Sequence, residues 1–181
     1  MKKHSFLLLI LVLLAGNKLN AQTPVQSFFS TLQSLCGQRF LGEMTFPQDG
    51  QDNFAGQVLL AEFSQCSEHE LRIPFLVGDD ASRTWIITQT EQGLRLKHKH
   101  LLKDGSIDPV SNYGGDAIAA GSALSQSFPA DAFTQELIPD AATNVWTLSF
   151  SEDSKQMTYH LERHGKPRFT AEFELESVKA D

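Results

Sequence analysis

Two histidines separated by one residue are the clearest candidates for chemistry in this sequence. His98 and His100 end the segment 94–100 (LRLKHKH), in which apolar and charged residues alternate. Successive side chains of a β-strand point to opposite faces, so both imidazoles share the face of Leu94 and Leu96. We therefore expect both histidines to point into the protein near a strand end, about 6–7 Å apart.

This His-x-His pair has two interpretations. Imidazole is a common ligand of zinc and copper, so the pattern predicts a Zn or Cu site at His98 and His100, with Asp104 adding an oxygen ligand. Alternatively, the two rings are polar residues at a barrel end, hydrogen-bonded to water, to a carboxylate such as Asp104 or Asp108, or to a hydroxyl such as that of Tyr113. A buried ring without any partner would cost about 1–3 kcal/mol, so one of these arrangements is expected.

The other polar clusters have simpler interpretations. Asp104, Ser106 and Asp108 resemble part of an oxygen-ligand calcium loop, but the EF-hand glycine position and terminal Glu are missing, which favours a surface turn. His160 and His164 alternate with apolar residues of the same segment, so the alternation places them on a solvated face.

Motifs of common enzyme classes do not occur in the sequence. It contains no G-x-S-x-G, H-E-x-x-H, Walker or G-x-G-x-x-G pattern, and Gly114-Gly115 is expected to be a flexible pair in a loop. The formal charge of −7, from 22 acidic and 15 basic side chains, argues against general nucleic-acid binding. No enzymatic activity is therefore predicted, although the sequence does not decide the point.

The elements that must hold these residues follow from hydrophobic periodicity. Apolar residues spaced by three and four predict a helix over 24–35 that buries Phe28, Phe29 and Leu32. After Gly37 the period becomes two and turn-type clusters separate short runs, which predicts an antiparallel meander. Eight to ten such strands are expected to close into a barrel, with the helix covering one opening. The residues expected to share the interior are Phe40, Phe46, Phe63, Trp85, Trp146, Phe150, Phe169 and Phe173.

One stretch of the chain departs from this pattern. Residues 114–139 are small and Ala-rich, and the segment 128–133 predicts a strand that ends at a short helix. No linker or repeat divides the chain, so residues 22–181 are expected to form a single barrel domain.

The first 21 residues have the pattern of a secretory signal peptide. Lys2 and Lys3 precede an apolar run over 6–15, and small residues lead to a predicted cut after Ala21. This predicts bacterial export, to the periplasm or outside the cell, with no transmembrane segment in the rest of the chain.

The predicted export determines how the two cysteines are interpreted. In an oxidising compartment Cys36 and Cys66 are expected to form one structural disulfide, and two buried free thiols are the alternative.

The segment Gly37-Gln38-Arg39-Phe40-Leu41-Gly42, which follows the helix, resembles the first strand of the calycin barrels, which include lipocalins and nitrobindin-like proteins. The segments 96–100, 104–108, 113–115 and 128–131 are similar to a group of uncharacterised secreted bacterial proteins. The calycin resemblance implies a calycin-like closed barrel that holds a small apolar ligand, and it carries over no binding residue.

The sequence thus predicts an exported barrel that binds a small, largely apolar ligand without catalysis. One alternative is a metal-binding protein or metal-dependent enzyme that uses His98 and His100. Another is an interaction module of the cell envelope that binds no small ligand.

Overall fold

The spacing of apolar residues changes after Ser34, where the helix ends and the strands of the barrel begin. A computed structural model describes residues 22–47, 54–119 and 121–176, so the predicted signal peptide lies outside the described residues. No helix of the described part is long and apolar enough to cross a membrane. The elements are α1 Pro24–Ser34, β1 Arg39–Phe46, β2 Leu59–Glu62, β3 Gln65–Cys66, β4 Glu70–Val77, β5 Asp80–Thr90, β6 Gly93–His100, β7 Tyr113–Asp116, β8 Ser125–Pro129, α2 Ala132–Leu137, a 3-10 turn Pro139–Ala141, β9 Val145–Phe150, β10 Gln156–Arg163 and β11 Lys166–Glu174.

The barrel is antiparallel and nearly closed, as predicted. Ten strands follow one another in the order β7-β6-β5-β4-β2-β1-β11-β10-β9-β8, and the short β3 pairs only with β4. Nearly all neighbours on this path are also close in sequence, and short turns join β4 to β5, β5 to β6, β9 to β10 and β10 to β11. The β1–β11 pairing is the long-range exception, and it brings the first and last strands together.

The predicted helix α1 is confirmed, and it covers one end of the barrel. Thr23 caps it, since the Thr23 hydroxyl accepts from the Gln26 amide and the Gln26 side chain accepts from the Thr23 amide. Its buried face carries Phe28, as well as Phe29 and Leu32, and it contacts β6 and β8. The Phe28 ring packs on Phe150 with centroids 5.4 Å apart, at the end of β9.

The predicted disulfide between Cys36 and Cys66 is confirmed. It joins the second residue after α1 to β3, with α-carbons 6.3 Å apart. The Gln33 side chain donates to the carbonyls of Ser67 and Glu68 beside it, at 3.1 and 3.2 Å. The helix is therefore fixed to the β3–β4 turn by a covalent bond and by hydrogen bonds.

The core confirms the alternation over most of its length. Seven of the eight residues predicted to face the interior are buried in one cluster. Phe46 is the exception, and that prediction was wrong. The β1–β11 register shifts between Met44 and Phe46, so Phe46 lies opposite Thr170, whose hydroxyl contacts His160 on the outer face. A β-bulge moves every later side chain to the other face.

The seam between β7 and β8 corrects the expectation for Gly114-Gly115. Both glycines lie in β7 and are buried, not in a flexible loop. A Cβ on Gly115 would lie 1.7 Å from the Pro129 carbonyl oxygen, and one on Gly114 would lie 2.0 Å from that of Leu96. Only glycine lets the backbones approach this closely.

The segment after β8 completes this seam. As predicted, β8 ends just before a short helix, α2, whose cap is Asp131. The Asp131 amide donates to the Gly114 carbonyl at 2.9 Å, and Thr134 exchanges two hydrogen bonds with the Gly114 backbone. Side-chain and loop bonds thus replace a regular strand ladder at the seam.

Candidate functional site

A cavity of about 440 Å³ occupies the end of the barrel opposite α1. Its walls come from the beginnings of β5, β9 and β11 and from the ends of β4, β6 and β10, and Ile138 and Ala141 add a further side. The strands contribute six aromatic side chains to the lining: Phe75, Trp85, Tyr113, Trp146, Tyr159 and Phe169. The Trp85 ring is stacked between Phe75 and Tyr159, with centroid distances of 4.7 and 4.6 Å.

Both histidines of the His-x-His pair line this cavity, as the alternation predicts. His98 is buried, and both of its ring nitrogens have partners. Nδ1 lies 3.2 Å from the Tyr113 carbonyl oxygen, and Nε2 lies 2.8 Å from the Tyr159 hydroxyl. Since a carbonyl only accepts, Nδ1 carries the proton and donates, and the Tyr159 hydroxyl donates to Nε2. Burial lowers the pKa of His98 to about 3, so the ring is neutral at pH 7.

His100 is half-buried one step nearer the opening. Its Nε2 is 2.9 Å from the Tyr113 hydroxyl, and burial followed by the positive charge of Arg83 lowers its pKa. The Tyr113 ring stacks on His98 with centroids 4.7 Å apart, and burial raises the pKa of its hydroxyl to about 12. One tyrosine of β7 therefore orders both imidazoles, and the hydrogen-bonded hypothesis describes the geometry seen here.

Asp104, the third predicted metal ligand, lies elsewhere. It is fully exposed in the turn after β6, where its carboxylate accepts from the amide and hydroxyl of Ser106, which lower its pKa. Among the described residues no group of three or more His, Cys, Asp or Glu side chains is arranged to hold a metal ion. The zinc or copper site at His98 and His100 remains a prediction.

The remaining candidates from the sequence lie outside the cavity. The Asp108 carboxylate accepts from the Val110 amide at 2.7 Å, as expected in a surface turn. The His160 ring bonds Thr170 on the outer face of the barrel. His164 contacts the Thr143 hydroxyl at 3.0 Å and is exposed.

Three arginines line the cavity and were missed from the sequence. Arg83 is ion-paired with Asp80 at 2.6 Å, and its guanidinium lies 4.9 Å from the centre of the Phe54 ring. Arg163 donates from Nε to the Asn144 side-chain oxygen at 2.8 Å. Arg168 lies at the beginning of β11 and is exposed.

A signal for two of these arginines was present in the alternation. Arg83 continues the inward series of Trp85 and Ile87, and Arg163 continues that of Tyr159 and Leu161. Arg83 lies two residues before Trp85, and Arg163 lies two residues after Leu161. Continuing the alternation by one step in each strand therefore identifies both arginines. Arg168 breaks the alternation next to the register shift between β10 and β11, so no such pattern predicts it.

Comparison of the chain with protein-family models, with curated proteins and with solved structures found no match. The functional assignment therefore depends on the geometry and charge of this cavity.

Proposed function

We propose that this protein binds one small, largely apolar molecule in the cavity and does so without catalysis. The observation that carries the proposal is a space of about 440 Å³ at the end that α1 does not cover, with seven Phe, Tyr or Trp side chains among its 18 lining residues. Sites for small molecules typically have volumes of about 300–1,000 Å³, apolar walls and few polar groups. The resemblance of the first strand to calycin barrels leads to the same expectation.

The polar groups in the wall support binding rather than acid–base chemistry. A general acid or base works best with a pKa near the working pH. The pKa of His98 is about 3 and that of Tyr113 about 12, so neither exchanges a proton readily near neutrality. Their hydrogen bonds to one another and to Tyr159 instead make a rigid wall.

We place this activity outside the cytoplasm. The Cys36–Cys66 disulfide supports that location, because disulfides persist mainly in oxidising compartments. The signal-peptide pattern over residues 1–21 supports it from the sequence.

A neutral fluorescent probe tests the binding function. N-phenyl-1-naphthylamine is uncharged and emits strongly in apolar surroundings, so its fluorescence should rise to saturation at one site per chain. Leu161→Trp places a larger side chain in the cavity wall and should weaken probe binding about tenfold or more.

The matched control is Leu41→Trp, on the exposed outer face of β1. It should leave the affinity for the probe unchanged. Absence of saturable binding to the folded wild-type protein, or equal affinities in the two variants, would contradict the proposal.

A further inference from the structure

Two of the three arginines that line the cavity have no carboxylate partner among the described residues. All six arginines of the chain lie within the described residues. Arg39, Arg72, Arg83 and Arg95 each form an ion pair with a carboxylate. Arg163 and Arg168 form none with any described residue, and both line the cavity. We name these two the arginine pair.

Arg163 is held in place without being neutralised. Its partner, the buried Asn144, is an uncharged amide that accepts from Nε. The backbone of Asn144 is itself fixed, because its carbonyl accepts from Ala130 and its amide donates to Ala141, each at 2.9 Å. A guanidinium oriented through Nε keeps its terminal N–H groups available for a second acceptor, and this fork matches the geometry of a carboxylate.

Arg168 lies across the β10–β11 hairpin from Arg163. The last residue pair of this hairpin is Arg163 with Lys166, and Leu161 pairs with Phe169 next to Arg168. Both arginines therefore stand at the same end of the same two strands. Arg168 is exposed, which places a positive charge on the solvent side of the cavity.

The charge of the lining is unusual for this protein. The chain has 22 acidic side chains and a formal charge of −7, yet none of the described residues that line the cavity is Asp or Glu. The carboxylate of Asp80, outside the lining, pairs with Arg83 and accepts from the Ser82 amide. His98 is neutral at pH 7, and burial lowers the pKa of His100 as well. Guanidinium groups therefore supply the positive charge of the lining.

We propose that the cavity selects organic anions, with the arginine pair binding a carboxylate or similar oxyanion and the aromatic walls holding a flat apolar body. This inference rests on the proposed function, since it names the class of ligand that the same cavity takes. A planar apolar body suits the walls, because aromatic side chains of six strands line the cavity.

A pair of ligands with one shape and different charge tests the inference. 2-Naphthylacetate and its amide, 2-naphthylacetamide, differ only in the acid group, and calorimetry measures both affinities. The wild-type protein should bind the acid at least about tenfold more tightly, because hydrogen bonds to charged groups are the strong ones. Raising the salt concentration should weaken binding of the acid but not of the amide.

Arginine variants then show which residues cause the preference for the acid over the amide. Arg163→Gln and Arg168→Gln should each reduce the preference for the acid severalfold while the affinity for the amide stays constant. Arg95→Gln is the matched control, because it removes the same charge from an outer-face ion pair with Asp116 and should retain the full preference. Thermal melting verifies that each variant is folded, and Arg168→Gln, at an exposed position, keeps the test available if Arg163→Gln does not fold.

The outcomes separate this inference from the proposed function. Equal affinity for acid and amide would overturn the anion selectivity and leave the apolar binding function standing. An equal loss in Arg95→Gln would also overturn it, since the effect would then come from overall charge. Failure of the acid, the amide and the neutral fluorescent probe to bind would overturn the proposed function and this inference together.

Discussion

The buried imidazole of His98 links the stability of the barrel to pH. Its pKa is about 3 in the folded protein against an ordinary value of 6.5, because burial disfavours the charged form. Between these values the unfolded chain binds a proton that the folded chain does not, so stability falls as the pH is lowered through 6.5. His100 adds to this in the same direction, because its pKa is also lowered.

We expect the free energy of unfolding to fall by roughly 2 kcal/mol from His98 alone between neutrality and about pH 5. Urea unfolding at the two pH values measures this. His98→Gln should lose most of the pH dependence, whereas His69→Gln, at an exposed position, should keep it. An unchanged pH dependence in His98→Gln would show that other groups account for it.

At the scale of elements, the seam between β7 and β8 depends on the absence of a side chain at Gly115. Gly115→Ala would bring a methyl group against the Pro129 carbonyl oxygen, so β7 or β8 must shift. We expect a loss of about 1–3 kcal/mol of stability, as for other overpacked sites.

Hydrogen exchange locates this damage. The amides of Ile118 and Asp131 bond across the seam to the carbonyls of Ser127 and Gly114. In Gly115→Ala these two amides should lose protection, whereas the amide of Phe63, which bonds the Gln38 carbonyl far from the seam, should keep it. Uniform loss of protection would indicate global destabilisation instead.

The disulfide acts on α1 and on the strand to which it is joined. Replacing Cys36 and Cys66 together by Ser opens a loop with a sequence separation of 30 residues. The chain-entropy model then predicts a loss of about 3–4 kcal/mol. In urea unfolding, a reductant should lower the free energy of unfolding of the wild type to that of the double variant, and it should leave the double variant unchanged. A smaller loss in the reduced wild type would contradict this.

The elements differ in how well the sequence predicts them, for physical reasons. The helix and the long strands have side chains that alternate between core and solvent, and burial of each large apolar residue is worth about 1.5–3 kcal/mol, which makes their pattern strong. β7 is short and contains Gly114 and Gly115, which carry no side chain to show a period. Phe46 follows a bulge, whose position depends on the partner strand and not on local sequence.

At the scale of the whole molecule, the two barrel ends have different roles. α1 closes one end with apolar side chains, and the disulfide keeps it there. The other end keeps an open cavity with positive charge in an acidic protein. The sequence therefore predicts only part of the site. The inward direction of His98 and His100 follows from strand alternation, but the grouping of three arginines from β5, β10 and β11 requires the closed barrel.

Trp85 and Trp146 are the two tryptophans of the chain, and both rings form part of the cavity wall. Ultraviolet emission of the unlabelled protein therefore originates from the wall alone. A molecule that enters should change the intensity or wavelength of that emission, and excitation energy should pass to any occupant that absorbs in the same range. Intrinsic tryptophan fluorescence should therefore report whether the cavity is occupied, and a library of compounds can be screened against the native chain without attaching a dye.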